Sequence, residues 1–296
     1  MSNINVKEIK GKKPGKTIVI LAGVHGDETC GVRAFDFLIP RIKIDAGKVF
    51  FIYANLKAIK QNKRFVEKNL NRCFFKEQLQ EIKNSLEGKT AREIMPYLDQ
   101  ADVMLDIHAS FTDGSIPFVI CDELNIQEAH IFEAEKIVCN IDPFEPGSTD
   151  YYMNLQKKAA FCFECGYLGD FKTNEIAQKA IFDFLIYYNC IPGSNSSQKK
   201  SSIIKIVGLY KNKYGPFILS RYFKDFEMIK TKTLIGFDGE KKIYGEKGNI
   251  VLFARDRETL NDECFLIGED VTNVYTQLER NIIKSEKIQS DKGVLE

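Results

Sequence analysis

The 296-residue sequence lacks a surplus of either charge, because 42 lysines and arginines face 41 aspartates and glutamates. A general nucleic-acid-binding protein is expected to carry a basic excess, so this balance argues against that class. The sequence also lacks an apolar run close to the ~20 residues that span a bilayer. The basic residues of the N-terminal segment 1–16 come without the apolar h-region of a secretory signal. We therefore expect neither a membrane partner nor a secretory signal.

Motifs for disulfide or serine chemistry are also missing. The eight cysteines are scattered, and the one close pair, Cys162 and Cys165, has apolar neighbours that are typical of a buried strand. We interpret this pair as core thiols and regard a thiol–disulfide function as the weaker alternative. Free thiols indicate a reducing compartment, so a cytoplasmic location is expected. The GxSxG turn of a serine hydrolase does not occur.

The sequence does contain a hydrophobic pattern that suits a large core. Hydrophobic residues make up 44% of the chain, and a chain near 300 residues can bury about 75% of its unfolded surface. Strands and helices alternate in the prediction, which is typical of the α/β class. Strands are predicted at 17–24, 48–55, 101–107, 116–121 and 161–164, and helices at 29–39, 89–98, 126–138 and 174–188.

The composition changes near residue 193, which predicts a domain boundary. A polar, serine-rich segment follows, and after it short strands alternate with glycine-containing turns. We predict a catalytic α/β domain at 1–192, a linker at 193–202 and a small β-domain at 203–296 that covers the cleft. The short strands are predicted at 203–210, 216–222, 227–235, 241–244, 249–254 and 263–267.

Two of the three histidines lie where predicted strands end, the position at which open α/β sheets collect ligands. His25 is followed three residues later by Glu28, and His108 ends the third strand. Two histidines and one glutamate with an open position form a catalytic zinc shell. Taken alone, Glu28 could equally be an acidic residue that stabilises a helix N-terminus. His130 lies among glutamates in a predicted helix, and we interpret it as a surface residue.

Four short motifs occur in order along the first half of the chain. They are GVHGDE (23–28), NLNRCF (69–74), DIH (106–108) and ECG (164–166). This set resembles the signature motifs of the succinylglutamate desuccinylase/aspartoacylase family, a branch of the zinc carboxypeptidase superfamily. The resemblance covers about residues 15–190. It implies a mixed sheet like that of zinc carboxypeptidases, flanked by helices and followed by a small all-β domain.

The resemblance also implies the reactive groups. The family's zinc ligands match His25, Glu28 and His108, with one zinc ion per chain. Its catalytic glutamate matches Glu164, which would take a proton from the water that zinc activates and deliver it to the leaving amine. An arginine of the family that polarises the scissile carbonyl matches Arg64. This residue lies in segment 56–75, whose lack of a clear period already favours an irregular, functional loop.

The substrate-binding groups match the family in part. The family's Asn-Arg pair, which binds a substrate carboxylate, matches Asn71 and Arg72. In aspartoacylase-like members, a further arginine upstream of the catalytic glutamate reads the acidic side chain, but residues 146–163 contain no arginine. The nearest candidates to replace it are Tyr151, Tyr152, Lys157 and Lys158. Lysine cannot replace the planar two-donor fork of arginine where a carboxylate is bound by two hydrogen bonds. N-acetylaspartate is therefore in doubt as the substrate.

The leading hypothesis is therefore zinc-dependent hydrolysis of the amide bond of an N-acyl amino acid, a small-molecule substrate. A carboxypeptidase that acts on short peptides is the second hypothesis, because its substrate also presents a carboxylate. A zinc-binding protein without turnover is the third, and the presence of Glu164 argues against it. The sequence leaves the acyl group, the amino acid, the physiological metal and a homo-oligomeric state open.

Overall fold

The computed structural model of the protein describes residues 2–194 and 200–277. Residues 195–199 of the predicted linker and 278–296 of the predicted β-domain lie outside the described residues. Within the described ranges, none of the helices combines the length and the apolar content that a bilayer crossing demands.

The chain alternates strands and helices in its first half and is mostly strand in its second half. The helices are α1 (Cys30–Leu38), α2 (Leu56–Gln61), α3 (Gln80–Lys83), α4 (Leu86–Gln100), α5 (Ile126–Ala129), α6 (Thr149–Asn154) and α7 (Thr173–Tyr187), with 3₁₀ turns at Leu70–Arg72 and Glu123–Asn125. The strands of the first half are β1 (Asn5–Lys10), β2 (Lys13–Ala22), β3 (Ala46–Tyr53), β4 (Val103–Ser110), β5 (Phe118–Cys121), β6 (Lys136–Cys139) and β7 (Ala159–Tyr167). Those of the second half are β8 (Ser202–Lys211), β9 (Phe217–Leu219), β10 (Glu227–Met228), β11 (Thr233–Asp238), β12 (Lys241–Gly245), β13 (Ile250–Leu252) and β14 (Glu263–Asp270).

Eleven of the strands form one mixed sheet in the order β1-β3-β2-β4-β7-β5-β6-β8-β14-β13-β10. Its centre is parallel, because β2 pairs with β3 on one side and with β4 on the other, and β4 pairs with β7. The chain thus moves outward from β2 to β3 and then crosses back to β4. Such a reversal opens a crevice at the carboxyl ends of the strands.

Helices cover both faces of the parallel strands, which explains why the second half of β2, residues 18–22, is hydrophobic without interruption. Ile18 and Ile20 of β2 pack in the core under α1 and α7, whereas Val19 and Leu21 pack in the core under α4 and α6. A strand buried on both faces has no polar side to alternate with. All eight cysteines are buried and free, in agreement with the prediction of core thiols for the close pair.

The second half extends the large sheet and adds a small one. β8 pairs in parallel with β6 and antiparallel with β14, so the sheet continues past residue 200. β9, β11 and β12 form a separate three-stranded antiparallel sheet. The predicted fold class, a mixed α/β sheet with helices followed by a small all-β part, is confirmed. The domain boundaries at 192 and 203 stay a prediction.

The predicted elements differ from the structure in three places. The helix predicted at 126–138 is wrong beyond α5, because the apolar residues that follow are fully buried as strand β6. The segment 56–75, predicted as an irregular loop, begins with α2, whose first turn is capped by the Asn55 side chain accepting from the backbone N–H of Ala58. The strand predicted at 227–235 is divided between β10 and β11, which lie in different sheets.

Candidate metal and catalytic site

A tight turn after β2 carries the first two predicted ligands. The turn approaches α2 so closely that a Cβ atom on Gly26 would lie 2.1 Å from the carbonyl carbon of Ala58. Only glycine fits at that distance. The backbone N–H of Gly26 also donates to the carbonyl oxygen of Arg64 at 3.2 Å. The turn is thereby fixed against α2 and the segment after it, and His25 and Glu28 are fixed with it.

His25, Glu28 and His108 lie together in the structure, and all three are buried. Nδ1 of His25 lies 2.8 Å from Oε1 of Glu28, and Nδ1 of His108 lies 2.8 Å from Oε2 of the same carboxylate. The backbone N–H of Ala109 donates to Oε2 at 3.1 Å. Burial disfavours the charged form of Glu28, but the two imidazoles outweigh it and hold the pKa of this carboxyl well below its usual range. The carboxylate is therefore the stable form at neutral pH.

The Nε2 atom of each histidine lies next to an amide or a carboxylate oxygen. Nε2 of His25 lies 3.0 Å from Oδ1 of Asn69, and Nε2 of His108 lies 3.1 Å from Oδ2 of Asp106. The Thr149 hydroxyl donates to the same Asp106 oxygen at 2.7 Å. Such outer partners orient metal-binding imidazoles and set their tautomers. Both Nδ1 atoms are thus directed at the centre of the group.

The protonation of the two histidines differs in the absence of a metal. Burial, together with the nearby Arg64 charge, lowers the pKa of His25 to about 4, so this imidazole is neutral at pH 7. Burial also disfavours charge on His108, but the Asp106 and Glu28 carboxylates outweigh it and raise the pKa of His108 well above its usual value. Because a metal binds the neutral imidazole, binding must release a proton from His108.

These residues fit a divalent metal ion such as zinc. Nδ1 of His25 is buried and has no hydrogen-bond partner, although a carboxylate oxygen lies close to it. One potential ligand atom from each of the three residues lies within 4.8 Å of the others. Two imidazoles and one carboxylate that leave further positions open form the donor set of catalytic zinc sites. A second potential group, Asp106, His108 and Cys162, shares His108 with the first.

Glu164 lies beside this group on the neighbouring strand. β7 pairs with β4 so that Glu164 is opposite His108, and the alternation of the strand places Cys162 and Glu164 on the same face. Oε2 of Glu164 is buried without a hydrogen-bond partner. Burial, with a smaller effect from Glu28, raises the pKa of Glu164 to about 8. This carboxyl can therefore gain and lose a proton close to neutral pH.

A cleft joins Glu164 to the His-Glu-His group. Arg64 and Asn71 line it: Nη1 of Arg64 donates to Oε1 of Glu28 at 2.7 Å, and the Asn71 side-chain oxygen accepts from the backbone N–H of Thr149 at 3.2 Å. Seven of the predicted site residues line the cleft, and they are His25, Glu28, Arg64, Asn71, Arg72, His108 and Glu164.

Arg72 also lines the cleft, but its guanidinium already holds two carboxylates. Nε and Nη2 donate to the two oxygens of Glu263 at 3.0 and 2.8 Å, and Nη2 lies 2.7 Å from Oε2 of Glu145. Nη1 donates to the backbone carbonyl of Asn71 at 2.8 Å. A substrate carboxylate could reach this fork only by exchange with one of the two glutamates.

The structure places Tyr151 and Tyr152 outside the cleft. The Tyr152 hydroxyl donates to Asp99 at 2.8 Å, and the ring is buried in the core under α4. The Tyr151 ring packs on Phe75. Nζ of Lys158 donates to the backbone carbonyl of Asp99 at 2.7 Å. Tyr151 and Tyr152 lie on α6, and neither they nor Lys158 line the cleft, so we leave them out of the proposed site.

The second half of the chain supplies one wall of the cleft. The Asp225 carboxylate accepts hydrogen bonds from the hydroxyls of Ser110, Thr112 and Ser115, at 2.8, 3.1 and 2.8 Å. It also accepts from the backbone N–H of Phe253 at 2.8 Å. Asp225 therefore ties the loop after β4 to the loop after β13 at the edge of the cleft.

Several residues that contact the site were not predicted from the sequence. Asn69 lies inside the NLNRCF motif, so the motif itself was a signal for it. The others lie at points of the chain where no local pattern marks them, and they are Glu145, Asp150, Arg255 and Glu263. Only the folded chain brings them to the cleft.

Comparison with known proteins agrees with this architecture. Residues 14–187 match the family model described as the succinylglutamate desuccinylase/aspartoacylase catalytic domain. A probable aspartoacylase from a Nostoc strain is 28% identical over 196 residues, which is 58% of this chain and 65% of that protein. A succinylglutamate desuccinylase from Pseudoalteromonas atlantica is 28% identical over 194 residues, which is 56% of this chain and 54% of that protein. The matched region is thus less than two thirds of either relative.

A solved structure shows the same fold over nearly the whole chain. Succinylglutamate desuccinylase from Vibrio cholerae superposes with a TM-score of 0.75 and 18% identity, covering 90% of this chain and 85% of that one. The family-model match covers more than half of the chain, and the chain belongs to the succinylglutamate desuccinylase/aspartoacylase family.

Proposed function

We propose that the protein is a zinc-dependent amidohydrolase that cleaves the amide bond of an N-acyl amino acid. The observation that carries this proposal is the position of Glu164 beside the buried His25, Glu28 and His108 group in one cleft. The names of the relatives support the substrate class, since both denote the removal of an acyl group from an amino acid.

The proposed roles follow from the surroundings of each residue. His25, Glu28 and His108 would hold one zinc ion per chain, which when bound lowers the pKa of water to about 7 and polarises a carbonyl oxygen. Glu164 accepts a proton from the attacking water and delivers it to the leaving amine, and its raised pKa suits both steps. Arg64, next to Glu28, donates to the oxyanion, an interaction worth about 3–4 kcal/mol in comparable sites.

Asn71 and Arg72 remain the proposed contacts for the α-carboxylate of the amino acid. Arg72 presents a planar fork that matches a carboxylate. The observed pairs with Glu145 and Glu263 support the same preference, because these side chains place carboxylates where the substrate would place its own. Binding would then exchange Glu145 for the substrate, since Glu145 makes the single contact and Glu263 the double one.

The test is amine release by the zinc-loaded protein from N-acetyl, N-succinyl and longer N-acyl amino acids and from short peptides with a free C-terminus. The Glu164→Gln variant should keep its zinc and lose at least about 100-fold in kcat, because general acid–base catalysis contributes that much or more. Glu175→Gln is the matched control, since Glu175 is an exposed glutamate on α7. It should behave as the unaltered protein.

Each result of this test separates the hypotheses. Release from an N-acyl amino acid that depends on Glu164 supports the proposal. Release from peptides alone assigns a carboxypeptidase, and unchanged hydrolysis by Glu164→Gln refutes the role of Glu164. Zinc content measured by elemental analysis should be one ion per chain. We also propose a cytoplasmic location, which the eight free, buried thiols support and which cell fractionation would test.

A further inference from the structure

Three arginines line the cleft, and one of them has no carboxylate partner. Arg64 pairs with Glu28, and Arg72 holds its two glutamates. Across residues 2–194 and 200–277, no hydrogen bond or ion pair is found for the side chain of Arg255, and its Nε is buried without a partner. Arg255 as a whole is half-buried. A buried polar atom without a partner is unusual, so the Nε of Arg255 calls for a ligand.

Arg255 is held in place by its own loop and by an aromatic ring. Its backbone N–H donates to the carbonyl of Cys264 in β14 at 3.0 Å. Nε of the nearby Arg257 donates to the backbone carbonyl of Glu263 at 2.7 Å, which fixes the same loop. The guanidinium carbon lies 4.3 Å from the centroid of the Phe111 ring, which itself lines the cleft. The cation is therefore positioned before any ligand binds.

The charges around Arg255 favour an anion at this point. Burial, together with the positive charges of Arg64 and Arg257, lowers the pKa of Arg255 to about 9, and Glu145 and Glu263 offset this in part. The guanidinium is still charged at pH 7, but its charge is incompletely balanced. A bound carboxylate would balance the rest of this partly desolvated charge.

We infer that Arg255 binds a second carboxylate of the substrate, the one on the amino-acid side chain or at the far end of the acyl group. This inference rests on the proposed function. It supplies the acid-reading arginine that residues 146–163 do not contain, and it places that arginine in the loop after β13. The preferred substrate is then an N-acyl amino acid with two carboxylates. Neutral N-acyl amino acids are the poorer substrates.

The kinetic test compares acidic and neutral substrates in variants of Arg255. The zinc-loaded protein is assayed with N-acetylaspartate, N-acetylglutamate and N-succinylglutamate against N-acetylmethionine. Arg255→Gln should raise KM for the best acidic substrate by about 10- to 100-fold, the value of hydrogen bonds to a charged group, and change it less than about threefold for N-acetylmethionine. Arg255→Lys should recover part of the loss. Arg33→Gln is the matched control, because Arg33 is exposed and lies near a phenylalanine ring outside the cleft.

A binding measurement separates failure of this inference from failure of the proposed function. Succinate and butyrate, which are similar in size, are titrated into the zinc-loaded proteins by calorimetry. The unaltered protein should bind succinate at least about tenfold more tightly than butyrate, and Arg255→Gln should lose that difference. If no substrate is hydrolysed but this difference appears, the proposed function fails and the carboxylate site stands.

Two results would overturn the inference. One is an equal rise in KM for acidic and neutral substrates in Arg255→Gln, and the other is equal affinity of the unaltered protein for succinate and butyrate. Zinc content and the circular dichroism spectrum show whether each variant is folded. If Arg255→Gln does not fold, the Arg255→Lys variant tests the inference instead, because lysine is a shorter and non-planar cation. An unchanged preference of this variant for succinate over butyrate would refute a bidentate contact with Arg255. A reduced preference would support it.

Discussion

The Glu164→Gln substitution should stabilise the metal-free protein, and increasingly so as the pH rises. In the unfolded chain, Glu164 titrates at its ordinary value of 4.5, whereas burial raises its pKa to about 8 in the folded protein. Between these values the folded state keeps a proton that the unfolded state has lost. The free energy of unfolding therefore falls with rising pH over this window, because the unfolded state binds fewer protons. Glutamine is neutral throughout and carries no such cost.

The size of the effect follows from the shift. One pKa unit corresponds to about 1.4 kcal/mol, so the rise from 4.5 to about 8 corresponds to about 3–6 kcal/mol in the full window. The advantage of Glu164→Gln over the unaltered protein should be near zero at about pH 4.5 and should be complete above about pH 8. Added zinc should shrink this advantage, since a nearby cation favours the carboxylate.

The assay is urea unfolding followed by circular dichroism, with a chelator present, at about pH 5, 6.5 and 8. Glu175→Gln should show no pH-dependent difference from the unaltered protein. A Glu164→Gln advantage that is constant across this range, or that declines with rising pH, would refute the reasoning, because it would mean that the Glu164 carboxyl is not desolvated in the folded state.

Two further substitutions test how the site is supported. Gly26→Ala brings a Cβ within 2.1 Å of the Ala58 backbone. The substitution should therefore lower the free energy of unfolding by about 1–3 kcal/mol and weaken zinc binding. A melting temperature and a zinc affinity equal to those of the unaltered protein would contradict this close contact. Asp106→Asn removes the carboxylate behind His108 and should weaken zinc binding by about 10- to 100-fold in a competition titration with a chromogenic chelator. Asp113→Asn, at an exposed aspartate, is its matched control, and equal zinc affinities in the two variants would show that Asp106 does not orient the histidine.

The parts of the fold that could be predicted from the sequence are those with a strong local signal. Within the run at 17–24, residues 18–22 are all apolar, so both faces of a strand at this position would be apolar. Such a strand must be covered on both faces, and β2 is covered in this way. The segment 126–138 gives no such signal. Its apolar residues fit a helical period, yet the second part of the segment pairs with β5 and β8. Partners that lie elsewhere in the chain decided between helix and strand.

The same distinction applies to the site. His25 follows β2, and His108 lies two residues before the end of β4. Adjacent parallel strands bring such positions together, so the proximity of the two histidines could be predicted. Tyr151 and Tyr152 were chosen for being near Glu164 in sequence, but a short helix turns them away from the cleft. Arg255 reaches the cleft from the loop after β13, and nothing in its local sequence marks it.

The pair between Arg72 and Glu263 has a consequence for the order in which the site is completed during synthesis. The proposed zinc ligands and Glu164 are all present once residue 164 has left the ribosome, whereas Glu263 emerges about a hundred residues later. Until then Glu263 is not available as a carboxylate partner of Arg72, which leaves Glu145, and the wall that carries Arg255 is absent. A nascent chain therefore possesses the proposed metal-binding groups before it possesses Arg255, the arginine proposed to select an acidic substrate.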